Sequence, residues 1–395
     1  MKKCIVFIIS VLMFGIFIPD KVQAKATKNS SPFEYEIVSE GEDSCRITGI
    51  RIKKDKGISV LRIPSTINGK IVVSIGKGKG ITSYSSSYYW NTFLMYNGDS
   101  EEKWFWASEI KPYRQREAQE RRVEKIKKII LPDTIREIRD TSFAGLKGLK
   151  SIKLSKNLTT IGKCAFADTS VQEMRLPSNV TAVGKQMFLD SPINNINIPA
   201  KLKKGVADLA RSKASWKRFA VSKKSPYYKV KKNMLLSKNG KTLYAVLTPQ
   251  KNIRIPDSVK TVDEFAFYKA SPQSVHLGAG VKEIKGGALS TKTRCRITLS
   301  PSNPYLARSG MCIYRKKKGE LLVGIPKGRV FRISRKVKKL VADSISLVGI
   351  GKKYQVKKVY IPKTVETIEY GWGIGGYVHK NCRYYTERDY WTFQP

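Results

Sequence analysis

A fixed internal period limits this chain to a narrow set of folds. Three segments repeat one pattern: Ile129-Ile-Leu131-Pro-Asp-Thr-Ile135-Arg-Glu-Ile138, Ile152-Lys-Leu154-Ser-Lys-Asn-Leu158-Thr-Thr-Ile161 and Met174-Arg-Leu176-Pro-Ser-Asn-Val180-Thr-Ala-Val183. The anchors Leu131, Leu154, Leu176 and then Ile198 are 23, 22 and 22 residues apart, and Phe143, Phe166 and Phe188 follow at steps of 23 and 22. A period of this size predicts a solenoid, because one such unit cannot bury its apolar face alone and neighbours must stack into a continuous core. In a short strand alternate residues share a face, so Ile152 and Leu154 point inward and Lys153 outward. Prolines 64, 132, 177, 199, 256 and 362 close the strands, since proline has no N–H for the next ladder bond. The pair that follows, such as Leu158 and Ile161, returns to the interior from the opposite wall, and the phenylalanine fills the volume between the walls.

The pattern extends outward with insertions. It starts at Leu61-Arg-Ile63-Pro64 and continues at Ile253-Arg-Ile255 (with Val259, Val262 and Phe265), Val275-His-Leu277, Phe331-Arg-Ile333 and Val359-Tyr-Ile361. A longer repeat lies on top: Ser225-Pro-Tyr227 and Asn303-Pro-Tyr305 are 78 residues apart, as are Leu243 and Leu321. Each copy holds an expected hairpin, at 234–243 and 312–321, the first with Asn239-Gly240 between apolar runs, a strong turn signal.

These residues resemble the leucine-rich repeats of the BspA type, whose L-P-x-x-V-x-x-I-G-x-x-A-F core is matched by Leu154 to Phe166 and by Leu176 to Phe188. Ile47-Thr-Gly-Ile50 followed by Ile63-Pro-Ser-Thr-Ile67-Asn-Gly-Lys70 is similar to that family's N-terminal unit. The resemblance covers roughly residues 34–369. It implies a β-rich right-handed solenoid of ~22–23-residue repeats, and a bacterial surface protein that binds or adheres. No ligand-binding motif carries over. Expected boundaries are a signal peptide (1–24), an N-terminal repeat unit (25–75), an aromatic and charged insertion (76–128), regular repeats (129–199), degenerate repeats (200–369) and an aromatic cap (370–395). Within the degenerate part, 200–222 reads as a helical substitution and Ser334 replaces a proline.

Lys2 and Lys3, the apolar run Ile5–Ile18 and the small residues of Val22-Gln-Ala24 or Ala24-Lys-Ala26 predict a secretory signal peptide. The run is shorter than the ~20 residues a membrane span needs, so no transmembrane segment is expected after cleavage, and the protein should be secreted or at the cell surface. Without a C-x-x-C or Cys/His cluster, no metal and no cofactor is expected. Cys164 reads as a small residue in a tight turn. Cys295 and Cys312 flank the second hairpin and could pair only if their strands are neighbours. No catalytic residue is singled out: His276 and His379 stand apart, and G-x-S-x-G, H-E-x-x-H and Walker motifs are missing.

Charge is the second large signal. The chain has 75 Lys and Arg against 31 Asp and Glu, a formal net charge of +44. That surplus favours polyanionic partners. The outward residue between the strand anchors is Arg62, Ile130, Lys153, Arg175, Asn197, Arg254, His276, Arg332 and Tyr360 in nine successive units. Five are basic and none acidic, so Arg62, Lys153, Arg175, Arg254 and Arg332 are the candidates for a basic column. Tyr88, Tyr89, Trp90, Trp104 and Trp106 in the insertion are candidates for stacking on sugars or on a protein, or else pack over the first repeats. Expected partners are a polyanionic glycan or cell-wall polymer, or a host surface or matrix protein, with nucleic acid bound only non-specifically. The expected function is binding or adhesion. The alternatives are a structural protein held electrostatically on its own envelope and a carbohydrate-active enzyme, since two carboxylates suffice for the latter.

Overall fold

The computed structural model describes residues 32–38, 43–50, 58–76, 125–212, 216–267, 270–289, 294–341, 346–347, 356–369 and 378–387. The expected leader and the insertion aromatics (Tyr88, Tyr89, Trp90, Trp104 and Trp106) lie outside them.

The chain is a β-rich solenoid with two walls. Among the described residues the front wall consists of four three-stranded parallel sheets. The first joins Val60–Arg62, Lys128–Ile130 and Ser151–Lys153. The second joins Glu173–Arg175, Asn195–Ile198 and Arg218–Val221. The third joins Asn252–Arg254, Ser274–Leu277 and Arg296–Leu299. The fourth joins Val330–Arg332, Val356–Ile361 and Val378–Thr386. The back wall carries two-residue strands such as Glu137–Ile138, Thr160–Ile161 and Ala182–Val183, also parallel and in step.

Between the walls each coil makes the same turn. The N–H of the apolar residue three places on donates to the carbonyl of the strand-closing residue, as in Val180 to Pro177 and Val365 to Pro362. Leu158 to Ser155, Val281 to Gly278 and Val337 to Ser334 repeat it without proline. The turn is therefore set by stacking, and proline only favours it. Gly162 and Gly184 mark close approach of successive coils: a Cβ at Gly184 would lie 2.2 Å from the Lys163 nitrogen.

The phenylalanines stack as the period requires. Phe143 and Phe166 have ring centroids 5.5 Å apart, Phe166 and Phe188 5.8 Å, and all three are buried. The sixth unit departs from expectation. Phe267, not Phe265, fills the core, while Phe265 is 42% exposed. Phe265 has φ +52°, the left-handed turn position occupied by Thr141 (+55°), Cys164 (+52°) and Gln186 (+56°) in other units. The core aromatic follows two residues later, five after the back-wall anchor (Val262 to Phe267, as Ile161 to Phe166). Cys164 thus occupies the tight turn read for it.

Residues 200–222 are only partly helical. A short helix, Val206–Arg211, is followed by the front strand Arg218–Val221, so parallel pairing continues through this segment. The hairpins do more than decorate the coils. Tyr228–Lys231, Met234–Ser237 and Thr242–Val246 form an antiparallel trio, as do Leu306–Ser309, Cys312–Arg315 and Leu321–Gly324. Their inner strands are apolar on both faces. Leu235 belongs to the hydrophobic cluster on its N-terminal side, and Met234 and Leu236 to the next. Ile313 faces that second cluster and Cys312 a third. The hairpins are partitions that divide the core into three compartments, which is why each reads as a continuous apolar run and not as an alternating one. Buried polar residues launch them: Ser225 Oγ accepts from the N–H of Tyr227 and Tyr228, and Asn303 Oδ1 from those of Tyr305 and Leu306. Cys295, just before the strand Arg296–Leu299, and Cys312, at the start of Cys312–Arg315, are both free thiols, and these two strands do not pair.

Two predictions follow from this packing. Phe166→Ala removes the middle ring of the stack and should cost about 3–5 kcal/mol, whereas Phe265→Ala should cost under about 1 kcal/mol; urea unfolding of both variants checks the register. Burial pushes the Cys295 and Cys312 thiols up to about 11 and the Tyr228 phenol up to about 12. These acids hold their protons longer in the folded state, so their contribution is complete below pH 9 and is lost as pH rises through 11 to 12. The urea midpoint should accordingly fall between pH 8.5 and 11.5, and a midpoint that stays level would contradict the assignment.

Candidate ligand-binding face

Each front strand turns two residues outward, and the register aligns them into two columns. One column reads Arg62, Ile130, Lys153 in the first sheet, then Arg175, Asn197, Ala220, then Arg254, His276, Thr298, then Arg332, Tyr360, Tyr385. All five basic residues expected here lie in this column and are exposed. They do not form an unbroken ladder. Three strands missed by the sequence pattern (Arg218–Val221, Arg296–Leu299 and Val378–Thr386) add Ala220, Thr298 and Tyr385, so arginine begins each of the last three sheets and two other residues follow it.

The second column was not read from the sequence at all. It runs Val60, Lys128, Ser151, then Glu173, Asn195, Arg218, then Asn252, Ser274, Arg296, then Val330, Lys358, Arg383. In the last three sheets arginine ends it. Each of these sheets therefore carries an arginine at two opposite corners: Arg175 with Arg218, Arg254 with Arg296, and Arg332 with Arg383. Counting both outward residues of each strand, i and i+2, would have found them.

The residues between the corners bond sideways. The Leu176 N–H donates to Asn197 Oδ1 at 3.0 Å, and Asn197 Nδ2 donates to the Leu176 carbonyl at 3.3 Å. His276 Nδ1 lies 3.0 Å from Thr298 Oγ1, and Ser274 Oγ donates to Asn252 Oδ1 at 2.6 Å. In the fourth sheet Tyr360 and Tyr385 stack at 4.7 Å and 12°, with the Arg332 guanidinium 3.8 Å from the Tyr360 ring centroid. Among the described residues, Arg175, Arg218, Arg254 and Arg296 have no side-chain hydrogen bond or ion pair. Acids elsewhere are largely neutralised: Asp263 is paired with Arg211 and Lys285, and Glu320 with Arg315 and Lys318. The cations left over include those of the front face. Of the expected cap, Tyr384 packs against the third core cluster and Tyr385 joins the outward stack.

A parallel, two-walled solenoid with this period is the leucine-rich-repeat type of fold. The chain matches the model of the BspA type leucine rich repeat region in six copies, over residues 121–214 and 240–309. The gap between the two stretches contains the start of the first partition. No curated protein matches the chain. Among solved structures, the pneumococcal vaccine antigen PcpA is 14% identical, with 90% of this chain and 92% of that chain covered and a TM-score of 0.52. A leucine-rich repeat protein from Eubacterium ventriosum is 15% identical (86% and 83% covered, TM-score 0.45). A leucine rich cell surface protein from Faecalibacterium prausnitzii is also 15% identical (87% and 94% covered, TM-score 0.41). At these identities the likeness to PcpA is one of fold. Among the described residues no helix is long and apolar enough to cross a membrane.

Proposed function

We propose that this is a secreted or cell-surface bacterial binding protein whose front wall holds a polyanionic ligand. One observation carries the reading: arginine recurs at the same two outward corners of three successive sheets. A solenoid core needs nothing at those positions except solubility, and they could as well hold lysine, glutamate or serine. Guanidinium is the group suited to bidentate contact with carboxylate, sulfate or phosphate. The net charge of +44 adds long-range attraction. The surface location is supported by the leader expected at residues 1–24 and agrees with a fold shared with PcpA, a vaccine antigen. The aromatic insertion would supply further contacts through Tyr88, Tyr89, Trp90, Trp104 and Trp106.

Binding of the full chain to a sulfated polysaccharide should weaken at least about tenfold between 50 and 300 mM salt, as counterion release requires. The double variant Arg175→Ala/Arg218→Ala should lose about tenfold or more at low salt. Lys156→Ala, on an exposed turn outside the front wall, should change affinity less than about twofold. Equal losses from the front-face and turn variants would mean that net charge alone acts, and would favour unselective retention on the cell's own envelope.

A further inference from the structure

The second front sheet carries an acid at a corner where the third carries an amide. Glu173 stands where the third sheet has Asn252. Glu173, Arg175, Asn195, Asn197 and Arg218 line one hollow of about 380 Å³ on this face. Glu173, Asn195 and Arg218 form a row across the three strands in register, and Arg175 lies two residues along from Glu173. The Asn197 amide is occupied by the Leu176 backbone. The other four side chains have no hydrogen bond or ion pair among the described residues, so a carboxylate, an amide and two guanidiniums converge with their capacity open.

We propose that this hollow binds an anionic sugar, an inference that rests on the anion-binding reading above. Two guanidiniums offer only donors and call for an anion. Glu173 offers only acceptors and calls for donors on the same ligand. A polymer of bare phosphates has no such donors and meets Glu173 as a like charge. A hydroxylated ring bearing one anionic group satisfies all four side chains: its anion lies between Arg175 and Arg218, and its hydroxyls donate to Glu173 and exchange hydrogen bonds with Asn195. In the third sheet Asn252 is bonded to Ser274, so that sheet keeps the arginine corners and lacks the open carboxylate. The anion is a uronate or a sulfate ester, both of which present oxygens to the guanidinium fork.

The test is the sign of the Glu173 effect, read by titrating the full chain with a uronate tetrasaccharide, a sulfated tetrasaccharide and inorganic polyphosphate of matched charge. Arg218→Ala should weaken every probe that binds. Glu173→Ala should weaken the sugar at least about fivefold, the loss of one or two hydrogen bonds, and should tighten polyphosphate. Glu173→Gln, which keeps an acceptor, should retain most of the sugar affinity. Whichever tetrasaccharide shows this pattern identifies the anion. If Glu173→Ala tightens sugar and polyphosphate alike, or if only polyphosphate binds the unaltered chain, the hollow reads charge and the sugar assignment is overturned while anion binding stands. If no probe binds, both readings fall. Glu173 is exposed and unpartnered, and equal melting temperatures of variant and parent confirm that folding is not being measured.

Discussion

The backbone ladder between successive coils governs everything else in this molecule. A two- or three-residue strand has no stability of its own, and the N–H and C=O groups it turns sideways are satisfied only by the coils above and below. That requirement holds each coil to the step of its neighbour. At a step of 22 residues Glu173 faces Asn195 and Asn252 faces Ser274. Once the backbone is in step, side chains are too: the phenylalanines stack, the left-handed turn position recurs at Thr141, Cys164, Gln186 and Phe265, and outward residues form columns. A ligand-binding column needs no separate architecture. It is the solvent side of the constraint that builds the core.

The two partitions add a second order to this arrangement. A solenoid of identical coils would present one long uniform face. Here a strand trio crosses the interior at 228–246 and again 78 residues on, with apolar side chains on both surfaces, and the front wall is interrupted at both places; a further break, between Ser151–Lys153 and Glu173–Arg175, has no partition. These breaks turn a continuous sheet into short sheets of three strands, each with a first and a last strand. Position within a sheet then acquires meaning, and arginine occupies the same first and last corners in three of them.

The legibility of the fold followed the strength of the period. The wall assignment, the proline turns and the Phe143, Phe166 and Phe188 stack could be read because adjacent units agree residue by residue. Phe265 is not the core aromatic: two phenylalanines flank Ala266, and the spacing of five from Val262 selects Phe267. The strands at 218–221 and 296–299 escaped notice for a different reason. Each is followed by a partition, so the proline turn and the back-wall pair that would mark it as a repeat are replaced by Ser225 or Asn303 and a hairpin. Their loss hid half of two of the three arginine pairs. The column through Arg62, Lys153, Arg175, Arg254 and Arg332 was visible because those residues sit between two inward anchors, whereas Arg218 and Arg296 open their strands, where an outward residue has only one anchor beside it; Arg383 lies inside Val378–Thr386, between Cys382 and Tyr384, beyond the last unit that the period marks.

The corner arrangement also answers how a chain with so many cations can concentrate them on one face. Like charges directly opposite on neighbouring strands, about 5 Å apart, destabilise a sheet, by about 1 kcal/mol even in water. In the second and third sheets the two arginines are separated by two rungs, about 10 Å, and by two residues along the strand, about 7 Å. The diagonal of about 12 Å exceeds the Debye length of about 8 Å at physiological salt, so the pair scarcely repels itself. Arginine side chains are long enough to close most of that distance when an anion lies between them, and bidentate contact then favours both at once. Charge placed this way is nearly neutral for folding and available for a ligand. A continuous column with a cation on every rung would have burdened the ladder on which the whole solenoid depends, and in the second and third sheets arginine at opposite corners avoids that conflict; in the fourth sheet Lys358 faces Arg383 directly, so only there are two cations on neighbouring rungs of this column.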